Sequence, residues 1–197
     1  MRQMVAAIKM TIVLTVLLGI LYPLAMAGMA HVIFPAQADG SIIYRNGTPI
    51  GSALIGQVFK APEYFHGRPS AAGKGYDPTN SGGSNLGPTN KTLIEAVKRR
   101  LKRILEENSG IRASQVPVDL VTASGSGLDP EISPAAADIQ VSRVAKARGL
   151  SEQTVHALVK TYTRPRQFGF LGEPGVNVLE LNLALDGLRT NQRTAQK

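Results

Sequence analysis

Two glycine–serine turns are the places where this sequence could gather groups for chemistry. They are Ser81-Gly82-Gly83-Ser84-Asn85 and Ser124-Gly125-Ser126-Gly127. Small residues in a row can turn successive backbone N–H groups inward on a phosphate. The second turn stands a few residues ahead of an expected helix start, where the helix field favours an anion. The same turns also arise for purely structural reasons, and the motif leaves both readings open. The usual catalytic groups are missing around them. The chain has three histidines and no cysteine, and neither His66 nor His156 has a neighbouring ligand at metal spacing. Ser124 to Gly127 lacks the leading glycine of a nucleophile elbow. Gly73-Lys74-Gly75 has neither the spacing of a Walker loop nor its following Ser or Thr. No residue is assigned to catalysis or to a metal.

The elements that would hold these turns are legible in part. Ser52 to Phe59 is mostly apolar between Gly51 and Pro62 and predicts a short strand. Residues 60–90 then carry six glycines and four prolines, with Leu86 the only Leu, Ile or Val. A loop of this length inside a small domain is functional or folded on itself. Tyr64, Phe65, Arg68 and Tyr76 could anchor it, and Asp77-Pro78 and Gly82-Gly83 supply turns. Phe65, Arg68, Tyr76 and Asp77 are accordingly candidate partner contacts.

A helix follows, with Thr92-x-x-Glu95 in the form of a capping box. Leu93, Ile94, Val97, Leu101, Ile104 and Leu105 recur at helical spacing, and Asn108-Ser109-Gly110 ends the run. Lys98, Arg99, Arg100, Lys102 and Arg103 cover its other side; a solvated basic face is the favoured reading, and an anion or headgroup site the alternative. Val116 to Thr122 alternates as a strand would. Ser133-Pro134 opens a helix whose apolar side is Ile139, Val141, Val144 and Ala145, closed by Gly149. Ser151 caps another, carrying Val155, Leu158, Val159 and Tyr162. Val178 to Leu188 alternates partly like a strand, but Asn177-x-x-Glu180 favours a helix. Residues 189–197 are a polar tail expected to fray. The predicted class is α+β, a small domain of 39–188 with a minor sheet.

Ahead of the domain, Met10 to Phe34 is a run of 25 residues without a charged side chain. As a helix it extends about 37 Å, against a bilayer core of roughly 30 Å. The run exceeds the 7–15 residues of a signal-peptide core, so the small-x-small triplet Ala36-Gln37-Ala38 is read as flanking an uncleaved anchor. The leader 1–9 carries Arg2 and Lys9 and no acid. That bias keeps the N-terminus in the cytoplasm and places the domain outside it, on a cell inner membrane. No Asp, Glu, Lys or Arg interrupts the run, so this helix has no ion path of its own. Gly19, Pro23, Gly28 and several alanines slim it for packing on other helices.

The whole chain is +8 at pH 7. Residues 39–197 hold 20 of the 22 bases and all 14 acids. This excess is diffuse, and it suits lipid headgroups or an acidic partner. With no Trp in the chain, stacking platforms for bases are poorly supplied, and no nucleic-acid role is assigned.

Seven segments in order make a familiar pattern. They are Leu21-Tyr22-Pro23 within the span, Gly51-Ser52-x-Leu54-Ile55-Gly56-Gln57, Phe65-His66-Gly67-Arg68-Pro69-Ser70-Ala71, Tyr76-Asp77-Pro78 and Ser81 to Gly87. Val116-Pro117-x-Asp119-x-Val121 runs on through Ser124-Gly125-Ser126-Gly127-Leu128-Asp129-Pro130. Gly172-Glu173-Pro174-x-Val176-Asn177-Val178-Leu179-x-Leu181-Asn182 closes the series. From the span to about Gly187 the chain resembles the C subunit of the Kdp-type potassium-transporting P-type ATPase. The resemblance implies partners in a potassium uptake pump: a channel-like subunit that selects the ion and an ATPase subunit that is phosphorylated. It implies an accessory, non-catalytic role in assembly. No cofactor is assigned to the chain itself; ATP enters through the complex, and potassium is the ion the complex transports. A second role attached to the family is to help the ATPase subunit bind ATP, and the Ser81 to Ser84 loop bears a loose likeness to the signature loop of ABC ATPases. The charge bias opposes it, because ATP is cytoplasmic and both glycine–serine turns are expected outside.

Overall fold

The computed structural model describes residues 1–195, and side chains up to Leu188. It divides into two compact units, Met1–Ser52 and Ala53–Lys197. In the first, a helix of 32 residues, Arg2–Ile33, is long and apolar enough to cross a membrane. Its side chains are uncovered, from Met4 to Ile33. The helix takes in the basic leader as well as the uncharged run. Leu17–Leu21 winds as one π turn, with the Tyr22 N–H bonded to the Leu17 carbonyl. Pro23, which has no N–H to give the preceding turn, sits just beyond it. Pro35–Ala38 adds a single turn. The unit ends in a hairpin of β1, Ile42–Arg45, and β2, Thr48–Ser52. Asn46 and Gly47 make its tight turn at φ 51° and 77°, the pair that a type I′ hairpin prefers.

The second unit is the α+β domain. Its sheet has the order β3–β5–β4, from Glu131–Ile132, Gly175–Asn177 and Thr163–Arg164, all antiparallel. Five helices pack with it: Lys91–Glu107, Pro134–Asp138, Val141–Arg148, Glu152–Thr161 and Val178–Ala195. The core joins Val144, Val155, Val176, Leu181 and Leu185, each fully enclosed, to Phe65 from the long irregular segment. Alternate-face spacing explains the helical contributions: Val141, Val144 and Ala145 face inward, as do Val155 and Val159.

The helix caps match the residue types. Ser133 Oγ accepts from the Ala136 N–H and Ser151 Oγ from the Thr154 N–H, each at 3.1 Å. Gly149, at φ 65°, closes Val141–Arg148 in the left-handed conformation. Asn177 Oδ1 accepts from Glu180 N at 3.1 Å, which starts the last segment as a helix and carries it past Leu188. The helix backbone runs to Ala195, so it takes in most of the polar tail; Gln196 and Lys197 lie outside the described residues.

Four sequence expectations are corrected. Ser52 ends β2, and residues 53–59 form no strand. Their backbone is spent on distant partners instead: the Gly56 N–H goes to the Leu128 carbonyl at 2.8 Å, and Asn177 Nδ2 donates to the Ala53 carbonyl at 2.8 Å. Val116 to Thr122 is not a strand but a 3-10 turn over Val118–Leu120. Leu120 and Val121 are buried side by side while Val118 is 69% exposed, a pattern that strand alternation cannot produce. Asp119 fixes the turn by accepting from Ser133 N at 2.7 Å. The helix begun at Ser133 breaks at Ile139 and Gln140 into two. Finally, Asn90, not Thr92, caps Lys91–Glu107, its side chain accepting from the Thr92 N–H at 2.8 Å.

The basic face of that helix is largely paired or engaged. Lys102–Glu106 and Arg103–Glu107 are i,i+4 contacts at 3.8 and 3.3 Å, and Arg100 Nη1 donates to the Val121 carbonyl at 2.9 Å. Contacts of this kind suit a solvated helix side and contribute a few tenths of a kcal/mol each, about 0.3–0.5 for an i,i+4 pair.

Candidate functional site

The two glycine–serine turns, separated by residues 86–123, lie against each other. The Ser126 carbonyl accepts from the Gly82 N–H at 2.8 Å and from Ser81 Oγ at 3.0 Å. Ser70 Oγ donates to the Gly127 carbonyl at 2.6 Å and accepts from Tyr76 N at 2.7 Å and Ala72 N at 3.1 Å. One serine hydroxyl thus closes the 70–76 loop and ties it to the other turn. Glycine is required at the contact. A Cβ on Gly127, at φ 68°, would lie 2.6 Å from both Ala72 N and the Gly82 carbonyl oxygen; one on Gly83 would lie 3.0 Å from the Gly125 carbonyl oxygen. The Gly82 N–H is spent in this seam, the Gly127 N–H turns back to the Ser124 carbonyl at 3.3 Å, and Leu128 N donates to Ser126 Oγ at 3.1 Å. These three N–H groups are committed within the seam, and the contact clasps the two turns together. Ser84, Asn85, Gly125 and Ser126 are exposed on it, while Ser124 and Gly127 are buried.

The four residues expected to face partners divide by burial. Phe65 is fully enclosed in the core, where its ring anchors the segment from inside. Arg68, Tyr76 and Asp77 are partly exposed. Arg68 Nη1 pairs with Asp129 Oδ2 at 2.8 Å, and the Tyr76 hydroxyl donates to the Arg68 carbonyl. Burial, reinforced by the Asp129 charge, pushes the Tyr76 hydroxyl up to about 12, so it keeps its proton and remains a donor. Asp77 accepts from both the Thr79 hydroxyl and the Thr79 N–H, which hold its carboxyl below the ordinary range.

Three polar residues that the sequence reading passed over secure the other end of the segment. Asn182 Oδ1 accepts from Phe65 N at 2.8 Å while its Nδ2 donates to Phe65 O at 3.0 Å. Gln140 repeats the pattern one residue on, accepting from His66 N at 2.8 Å and donating to His66 O at 3.2 Å. Arg143 spans Asn108 Oδ1, Gln140 Oε1 and the carbonyls of Pro62 and Tyr64. Amide side chains therefore replace a neighbouring strand for two consecutive loop residues. The available signal was a polar residue inside an apolar run: Asn182 between Leu181 and Leu183, and Gln140 between Ile139 and Val141. Burial first, then the Arg143 charge, holds His66 below its ordinary range, against the pull of the Ala61 carbonyl and Glu107.

These geometries fix a long irregular segment to the rest of its domain. Residues 4–187 match the family model described as "K+-transporting ATPase, c chain". The chain is similar to the potassium-transporting ATPase KdpC subunit of Rhodospirillum rubrum, 58% identical over 94% of this chain and 96% of the relative. The subunit of the same name from Koribacter versatilis is 54% identical over 94% and 95%, and that from Gemmatimonas aurantiaca 56% over 95% and 94%. With a family model spanning nearly all of it and relatives this similar over almost their full length, the chain belongs to the C-chain family of potassium-transporting ATPases.

Proposed function

We propose that this protein is the accessory, non-catalytic C subunit of an ATP-driven potassium uptake pump. In this reading its helix sits uncleaved in the cell membrane with the N-terminus in the cytoplasm, and its domain stands outside. The domain holds the channel-like and ATPase subunits together near the ion entry. The observation that carries the reading is the long segment 53–90, which has no helix or strand yet is tied at many points to the rest of its domain. Together with family membership and a run from Met10 to Phe34 that holds no Asp, Glu, Lys or Arg, such a segment suits a surface shaped for other subunits. Deleting residues 39–197 should abolish recovery of the intact complex and potassium uptake in cells. Unchanged uptake would refute the role.

Orientation has its own test. Thr48 is exposed and, unlike Asn46, is not in the left-handed region. A Thr48→Cys variant, its label site unique in a chain without cysteine, should react with a membrane-impermeant maleimide in intact cells. Reaction only after lysis would place the domain inside. The alternative, a domain that helps the ATPase subunit bind ATP, has less support. It needs the opposite orientation, and two of the turns' N–H groups, those of Gly82 and Gly127, already have partners in the clasp.

A further inference from the structure

The hairpin that joins β4 to β5 carries large apolar side chains away from the core. Phe168 is 87% exposed, Phe170 70% and Leu171 47%. The tip is ordered by its own backbone: Gln167 and Leu171 exchange both hydrogen bonds at 2.9 Å, and the Phe170 N–H reaches the Gln167 carbonyl at 3.2 Å. Phe168 and Gly169 take φ 52° and 82° as its central residues. That is the geometry of a type I′ turn, which favours Asn or Gly first. The hairpin of the first unit uses Asn46 and Gly47 in the same conformation. Here a phenylalanine stands where local sterics disfavour it, and none of the described residues covers its ring. The backbone strain and the exposed surface both oppose its choice for folding, so the benefit lies elsewhere.

The base of the hairpin identifies the occupant. Arg166 pairs with Glu173 at 2.6 Å, and Arg164 with Glu180 at 2.8 Å and Glu131 at 3.3 Å. Both arginines are thus neutralised by three carboxylates, and Glu173 is itself 78% exposed beside the apolar tip. A loop built to enter an anionic bilayer surface would leave its cations free and keep carboxylates away. An aromatic tip ringed by internally paired charges instead has the anatomy of a protein–protein anchor, an apolar centre with a polar rim. Resting on the subunit reading given above, we infer that Phe168, Phe170 and Leu171 plug an apolar, uncharged pocket on a neighbouring subunit of the pump.

The test uses the whole pump. Phe168→Ser/Phe170→Ser should leave the chain folded, since neither ring packs on the core, with its thermal unfolding in detergent unchanged. Its recovery with a tagged ATPase subunit should fall by about tenfold or more, the scale of losing two anchor residues. Phe168→Leu/Phe170→Leu should restore most of it. Full recovery of the serine variant would overturn the anchor. If deletion of 39–197 still dissolves the complex, the assembly reading survives that failure; if deletion is also silent, both fall.

A second measurement does not depend on the double variant. Phe168→Cys, carrying an environment-sensitive fluorophore, should be shielded from iodide only when the other subunits are present. Quenching by brominated lipid in vesicles of the chain alone would mark the tip as a bilayer contact and overturn the proposal.

Discussion

Replacing Asn182 with leucine should destabilise the domain by about 2–5 kcal/mol, because two buried backbone groups lose their partners together. Asn182 is 1% exposed, and both faces of its amide are committed to Phe65. Leucine fills a similar volume but offers neither donor nor acceptor. The Phe65 N–H and carbonyl are then left in a site closed to water, at about 1–3 kcal/mol for each unsatisfied group. The fully enclosed Phe65 ring links the damage to the core, so the 60–90 segment should loosen in the same step. Urea unfolding of the full chain in detergent, followed by circular dichroism, measures the loss. Limited proteolysis should find new cuts between Lys60 and Asn90. A loss under about 1 kcal/mol would mean that this amide pair does not hold the segment.

Gly127→Ala should remove on the order of 3 kcal/mol or more, from two separable sources. The positive φ of 68° strains any residue with a Cβ, by about 1–2 kcal/mol. The new methyl would also stand 2.6 Å from Ala72 N and from the Gly82 carbonyl oxygen. Both are backbone atoms, one in the 70–76 loop and one in the opposing turn, and cannot swing aside as a side chain can. Gly149→Ala is the control. Its φ of 65° is nearly the same, but no atom lies within 4 Å of the added Cβ, so only the conformational part should appear. Unfolding midpoints of the two variants, measured side by side, should differ clearly. Equal midpoints would show that the two turns part without penalty.

The sequence carried the periodic parts of this fold well. Val97, Leu101 and Ile104 stand at helical spacing, Ser133 and Ser151 are cap residues before apolar runs, and Gly149 suits a left-handed C-cap. Each of these signals acts over one or two turns. The misreadings fall where distant residues decide. Val116 to Thr122 alternates like a strand, but the Asp119 carboxylate is drawn to Ser133, fourteen residues on, and a 3-10 turn results. Residues 53–59 have strand composition, yet their partners are Leu128 and Asn177 rather than a neighbouring strand. At the site, the glycine–serine turns were visible as motifs, but no local rule says that one would become the other's hydrogen-bond partner. The hairpin tip was hidden for a related reason, since periodicity cannot show that Phe168 and Phe170 both miss the core.

The tie between Phe65 and Asn182 bridges 117 positions of chain. Synthesis proceeds from the membrane helix outward, so the middle of the domain is made long before the amide that fastens it. Until that residue emerges, the Phe65 N–H and carbonyl lack their amide partner, and loop closure over so many residues is slow. The tie therefore forms only after Asn182 has been made. A chain that stops short of Asn182 leaves the Phe65 N–H and carbonyl without these partners.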